Sequence, residues 1–560
     1  MKKIIKSIAI FAGMAAVLAS CADKLNVTPP NNIYDEQIVE LLENGTADQK
    51  ESILKAIVNP MAQYFNNYDR NNVCSTGSAN VMNYSYVGIE WGRSLMGNDI
   101  ALGYDLESYD LAGRDLYQFN APDFRIGNSN TNYCHWTTYA YAINQANSVL
   151  GYMTEELAQK DNLFKDGRAR ALLVRAYCYM CMMEEYQDAY LLGGKDKLGL
   201  PIYKAYDPKQ EPVARSSAEE TWSFIKGDMK EAVSLLSGAS KGYTAGRANA
   251  EDFDLGVANF LLARAALLTG DYSTCVTACR AIINSGAYGF IAKENYGGHN
   301  TGAWNPTSEI VVSPATNAFT NIAVNPETIL GYTVTSSFYQ QAAVFFGLSS
   351  MFSTYSATKS TARIDDRLYN KISDKDVRKD AFLNFEVGDY MFAANGAVAK
   401  IPSYASLKFS STDALNNDGT DGAGTPASTT KCDYTKFRLS EVYLMLAEAL
   451  CASNEGEAKA VLNDLLAARA KEGQTLTVDD YAAAAGSNSA LDAVKLQWRI
   501  EMWGEGGREY YNNKRWGVDV NRTGSTVHPK IVNYPANKMT LAIPEREMQD
   551  NPNSVDNQLN

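Results

Sequence analysis

The sequence predicts a mainly α protein: a helical-repeat scaffold of paired helices carrying a large loop-rich, mixed α/β insertion. Three observations predict it. Apolar residues recur at spacings of three and four through 133–285 and again from 437 to 511, the period of helices that bury one face. Between these blocks, residues 290–435 lose that period and carry Gly, Ser, Thr, Asn and aromatic residues, with short helix or strand candidates such as Glu309–Ser313. Hydrophobic residues make up 46% and charged residues 21%, an ordinary globular balance that supplies a large core over 560 residues.

In chain order, Lys2, Lys3 and Lys6 flank an apolar run from Ile4 to Leu18. It is shorter than the about 20 residues a spanning helix needs, and has the size and flanks of an export signal. Leu18-Ala19-Ser20-Cys21 resembles the bacterial lipobox, which implies a signal peptide over 1–20, cleavage after Ser20 and a lipid thioether on Cys21. Acyl chains contribute about 0.8 kcal/mol per buried methylene, so the chain is expected to be anchored to a membrane rather than embedded in it. Residues 21–50 read as a tether with Pro29-Pro30 and a first helix near Tyr34–Leu42. Residues 51–66 read as helix, and 71–132, rich in Asn, Gly, Tyr and Asp, as ordered loops with short helices. Helices are then expected at 133–153, 167–190, 218–236, 255–269 and 272–285, and after the insertion at 437–450, 455–471 and 490–511. Residues 410–430 form a flexible loop by composition, and their acids miss the register of a calcium loop.

Segment 261–283 resembles a tetratricopeptide unit. Leu262, Ala263 and Ala266 share one helix, Gly270-Asp271-Tyr272 makes the turn, and Cys275, Cys279 and Ile282 face inward from the second. Small residues let the helices approach and larger ones fill between turns. Segment 443–469 repeats the plan with Leu446, Ala447, Leu450 and Ala458. Stacked pairs of this kind make a tetratricopeptide-like superhelix.

Four local matches then fall in order along the chain. They are the lipobox followed by Val27-Thr28-Pro29; the long helix of 168–202 leading to Gly199-Leu200-Pro201; FRLSEVYLMLAEAL at 437–450; and WRIEMWGEGGREYYNNKRWG at 498–517 with IPEREMQDNPNSVDNQ at 543–558. Together they resemble the SusD/RagB family of outer-membrane nutrient-binding lipoproteins of Bacteroidetes. The resemblance implies a single SusD-like domain over 51–560, with its helical scaffold at 133–285 and 437–517 and its loop-rich ligand lobe at 71–132 and 290–435. It also implies a lipid-anchored outer-membrane location facing the cell exterior, and a TonB-dependent (SusC-like) transporter as partner, which the lipoprotein covers like a lid.

The net charge of −13 argues against a nucleic-acid partner, whose phosphates need a basic face. Catalysis finds little support. The three histidines, His135, His299 and His528, hold no metal-ligand spacing, and neither a nucleophile elbow nor a P-loop occurs. Asp365-Asp366 in RIDDR (363–367) reads more simply as a salt-bridged or capped turn than as a glycosidase pair. Cys178/Cys181 and Cys275/Cys279 lack the partners of a zinc site and read as small buried apolar residues. No enzyme activity, cofactor or metal is expected.

Saccharide capture needs aromatic planes for the apolar sugar face and amides, acids or Arg for the hydroxyls. Three loop clusters offer both. In 90–110, Trp91, Tyr104 and Tyr109 can stack while Arg93, Asn98, Asp99 and Asp105 can hydrogen-bond. By position this segment corresponds to the one that supplies binding aromatics in the family. Trp304 and Asn305 form the second, and Tyr339, Phe345, Phe346 and Tyr355 the third, where Phe345-Phe346 also reads as core. Trp498, Trp503 and Trp516 read as scaffold packing. The expected function is capture of oligosaccharide or polysaccharide fragments for delivery to the transporter. Peptide capture by the same type of lid and a surface glycoside hydrolase stay open as alternatives.

Overall fold

The computed structural model describes residues 35–63, 86–102, 130–237, 250–300, 310–311, 316–333, 362–392, 397–409, 433–487 and 489–553. Among these residues the chain is mostly helical. The helices are α1 (Asp35–Asn44), α2 (Ala47–Gln63), α3 (Tyr86–Leu95), α4 (Asn130–Tyr152), α5 (Glu155–Lys160), α6 (Asn162–Tyr186), α7 (Ala218–Ser237), α8 (Leu255–Leu268), α9 (Tyr272–Asn284), α10 (Leu439–Cys451), α11 (Glu455–Arg469), α12 (Val478–Ala485), α13 (Ala490–Glu501) and α14 (Arg508–Trp516). The strands are short and pair only in antiparallel twos.

The helices stack in sequence: α4 on α6, α6 on α7, α7 on α8, α8 on α9. After the long excursion α9 packs on α10, and α10 on α11 and α13. The local reasons are those the pattern offers. On α7 the buried set Ala218, Thr221, Trp222, Ile225, Met229, Ala232 and Leu236 steps by three and four, so one face enters the core. α6 is buried all round from Ala169 to Met183, because α2, α4, α5 and α7 surround it. Asp254, Asp271 and Asn454 cap α8, α9 and α11 by accepting otherwise orphaned backbone N–H groups. Gly270, at φ +73°, makes the tight turn from α8 to α9. Cys178, Cys181, Cys275 and Cys279 are buried thiols of these helices, outside any disulfide.

The helices differ from expectation in several places, as where α2 spans Ala47–Gln63 rather than 51–66. α6 starts at Asn162 rather than 167, because Asp161 accepts the Leu163 N–H and caps it. α12, not expected from the pattern, starts on a capping box of Thr477 and Asp480. The expected helix 490–511 is two helices: Gly504, Gly506 and Gly507 sit at φ +73°, +56° and +62°, where a right-handed helix cannot continue.

The lobe joins the stack through buried charge. Arg438, Arg469 and Arg378 converge on Glu501 (Nη1–Oε1 2.7, Nη2–Oε1 2.9 and Nη1–Oε2 2.9 Å). Arg438 and Arg469 also hold Glu327 at 2.9 and 2.5 Å. Glu505 bridges Arg438 and Lys408, and Asp376 pairs with Arg378. Burial would raise the Glu501 carboxyl, but the guanidiniums of Arg469, Arg438 and Arg378 hold it well below the usual carboxylate range. No helix of the described residues is long and apolar enough to cross a membrane.

Candidate functional site

The first candidate cluster begins on α3 and runs into a short loop. Gly97 permits the loop's close approach to α14: a Cβ there would lie 2.0 Å from the Glu509 carboxylate. That carboxylate accepts the backbone N–H groups of Asn98 and Asp99 at 2.5 and 3.0 Å. It is pushed up to about 7 by burial and by the neighbouring Asp99, against the pull of Arg499. The Asn98 side chain accepts the Asn521 N–H at 2.7 Å, and the Asn98 carbonyl meets His528 Nε2 at 2.8 Å. Ile100–Ala101 then pairs antiparallel with Arg363–Ile364. This brings the RIDDR turn beside the loop. That turn is salt-bridged and capped: Asp365 accepts the Arg367 N–H and pairs with its guanidinium at 2.7 Å. Asp366 accepts from Ser525 and Thr526.

A polar cleft of about 210 Å³ opens where these segments meet, lined by Asn98, Arg367, Lys371, Arg499, Asp519 and Asn521. Asp519 and Asn521 are exposed, while Arg367 and Arg499 keep 31% and 27% of their side chains in solvent. Arg499 is held by Asp99, and Arg367 by Asp365. Lys371 makes neither an ion pair nor a side-chain hydrogen bond among the described residues. Burial, and then the guanidiniums of Arg499 and Arg367, hold its ammonium below its ordinary value against the pull of Asp99.

Of the expected site residues, Asn98 lines this cleft. Arg93 and Asp99 are corrected to framework roles. Arg93 is fully buried, 3.2 Å from Glu185 and 2.9 Å from His135 Nδ1. Asp99 is buried beneath Arg499, and its carbonyl accepts the Trp503 indole N–H at 2.8 Å. Trp91 lies on α3, with its side chain outside the description. Tyr104, Asp105, Tyr109, Trp304, Asn305, Tyr339 and Phe346 lie outside the described residues, as do the signal segment and Cys21. Sequence reasoning missed Arg367, Lys371, Arg499, Asp519 and Asn521 as neighbours of Asn98. They come from three distant segments, and nothing in their spacing announces the meeting. No group of described His, Cys, Asp or Glu side chains has the arrangement of a metal site.

A second concavity, of about 230 Å³, lies on the helix stack among Trp222, Leu268, Tyr272, Lys495, Arg515 and Trp516. Trp516 in its wall and Trp498 outside the lining serve packing first. Trp498 is buried, and both Trp498 and Trp516 donate to Glu448 at 2.8 and 3.0 Å.

Comparison with known proteins agrees with this architecture. The family model described as "SusD family" matches residues 290–558, and that described as "Starch-binding associating with outer membrane" matches 105–250. No curated protein matches. Among solved structures, a SusD-like carbohydrate binding protein from Bacteroides vulgatus is 20% identical, with TM-score 0.66 over 90% of this chain and 97% of that one. A SusD superfamily protein from Bacteroides thetaiotaomicron is 18% identical, with TM-score 0.63 over 90% and 99%. The order of the helices, the two matched models and the shared fold lead to one statement: this chain belongs to the SusD/RagB family.

Proposed function

We propose that this protein is a non-catalytic, lipid-anchored outer-membrane protein that captures oligosaccharide or polysaccharide fragments at the cell surface and passes them to a TonB-dependent, SusC-like transporter. The observation that carries capture is the open polar cleft at Asn98, lined by amide, guanidinium and ammonium donors together with the Asp519 carboxylate. Sugar hydroxyls both donate and accept, so such a set suits them without any perturbed nucleophile. The chain runs directly from this loop into 103–110, where Tyr104 and Tyr109 are the proposed stacking planes and Asp105 a proposed hydrogen-bond partner. Trp91, Trp304, Asn305, Tyr339 and Phe346 are proposed further contacts. The family to which the chain belongs, and the carbohydrate-binding relative of the same fold, support the same reading.

Export is supported by the Leu-Ala-Ser-Cys signal and by the disulfide-bonded Cys134. The helical stack offers the transporter a broad face, on which Leu191 and Leu192 stand 51% and 57% exposed.

Affinity gels loaded with a polysaccharide panel test capture. Retarded migration without released reducing ends is expected, and is reduced by Tyr104→Ala or Tyr109→Ala. Release of reducing ends would replace capture by hydrolysis, and retention of peptides alone would favour a peptide ligand. Palmitate should label the wild-type product in a Bacteroidetes host but not Cys21→Ala; equal labelling of the two would end the anchor proposal.

A further inference from the structure

We infer that the cleft between Asn98 and Lys371 receives the negatively charged group of an acidic saccharide, a uronate carboxylate or a sulfate ester, resting on the glycan reading above. The protein as a whole is acidic, with 64 Asp and Glu against 51 Lys and Arg. Yet three of the six residues lining this cleft, Arg367, Lys371 and Arg499, are cations. Like charges gathered at one opening repel, and the arrangement is favourable where an anion completes it.

Asp365 and Asp99 neutralise Arg367 and Arg499, which leaves Lys371 as the lining cation without an ion pair among the described residues. Asp365 and Asp99, which hold Arg367 and Arg499, are buried and are not part of the lining. The lining carboxylate, Asp519, accepts the Ala536 N–H at 2.8 Å.

Each guanidinium is fixed and leaves a donor over. Arg367 spends Nε on Asp365 and Nη1 on the carbonyls of Asn521 and Thr523, which leaves Nη2. Arg499 spends Nε and Nη2 on Asp99, which leaves Nη1. Among the described residues Lys371 is uncommitted. Two oriented N–H donors and one ammonium match the oxygens of a carboxylate or sulfate. A neutral sugar would need no unpaired ammonium. The Asn98 and Asn521 side chains remain beside them for ring hydroxyls.

The test titrates three probes into the full mature protein by calorimetry: an oligogalacturonate, a sulfated galactan oligosaccharide free of uronate, and a neutral galacto-oligosaccharide. Each is run on wild type and on Lys371→Gln, at low and physiological salt. Because Lys371 has no partner to orphan among the described residues, its substitution is expected to leave the melting temperature unchanged. At least one acidic probe should bind more tightly than the neutral one, and lose about tenfold in Lys371→Gln, the effect of one charge-assisted contact. Added salt should weaken it, whereas the neutral probe should be indifferent to salt and lose less than the acidic one in Lys371→Gln. The uronate and sulfate arms show which acid is preferred. A neutral probe bound as tightly as both acids, or acid binding unchanged in Lys371→Gln, overturns this inference and leaves glycan capture standing. Binding of none of the three probes overturns this inference, and the polysaccharide panel then decides the broader proposal.

Discussion

The helix stack and the seam that ties the lobe to it solve the same burial problem with different chemistry. Between Asn130 and Asn284 the contacts are mainly apolar, with small residues such as Ala263, Ala266 and Ala278 where helices approach. Charge enters this region in small groups such as Arg175–Asp228 at 2.7 Å and Arg170 with Asp166 and Asp252. In the seam, Arg378, Arg438, Arg469 and Lys408 face Glu327, Glu501, Glu505 and Asp376 with almost no solvent access. The reason is backbone regularity. Helices satisfy their own peptide groups and can present apolar ridges. The lobe meets the stack with loops and with the end of α13, whose carbonyls need donors. Lys408 donates to the carbonyls of Glu501 and Trp503, both at 2.9 Å, and Arg438 donates to that of Glu501 at 2.8 Å.

The sharpest break of this comparison is Glu501→Gln. It leaves three guanidiniums around a neutral amide, and should cost about 3–5 kcal/mol in urea unfolding. A loss below about 1 kcal/mol would mean that water replaces the carboxylate, and that the seam is wet rather than dry. In the stack, Leu462→Ala removes a fully buried side chain and should cost about 2–5 kcal/mol, with no dependence on salt.

Acidity separates the regions further. The folded-state value of Glu501 lies well below its ordinary 4.5, so its stabilisation is complete above that value and is lost as pH falls below it. Hydrogen exchange below about pH 4.5 should therefore open the seam before the apolar stack. Glu509 has the opposite sign. Its value is raised to about 7, so its contribution is complete below 4.5 and disappears as pH rises through 7. Glu509→Gln should flatten the stability change between pH 5 and 8; an unchanged profile would refute that assignment. The smallest effect is Asp271→Ala, which removes the cap of α9 and should cost about 1 kcal/mol by thermal melting.

The stack was legible because its signals are local. The helices at 218–236, 255–269 and 272–285 match α7, α8 and α9 to within one residue, since apolar period, Asp caps and the Gly270 turn all lie within a few residues of each other. The break at Gly504–Gly507 was missed because apolar and aromatic residues flank it in register, and only the glycines' positive φ ends the helix. The cleft was legible at Asn98 alone. Arg93 has the same residue type and setting as a ligand contact, and its burial against Glu185, 92 positions away, has no local mark. Lys371 and Arg499 meet through the folded chain, which no spacing rule reports.

The handover from α9 to α10 places the two ends of the long excursion against each other, so its length adds little to the entropy of closing it. Grafting a different loop assembly between Asn284 and Leu439 is therefore tolerable in principle, whether by natural exchange or by engineering. The incoming piece must still deliver two carboxylates and three cations in place of Glu327, Asp376, Arg378, Lys408 and Arg438. A donor chosen for its sugar pocket alone would strand Arg469, Glu501 and Glu505 at the splice.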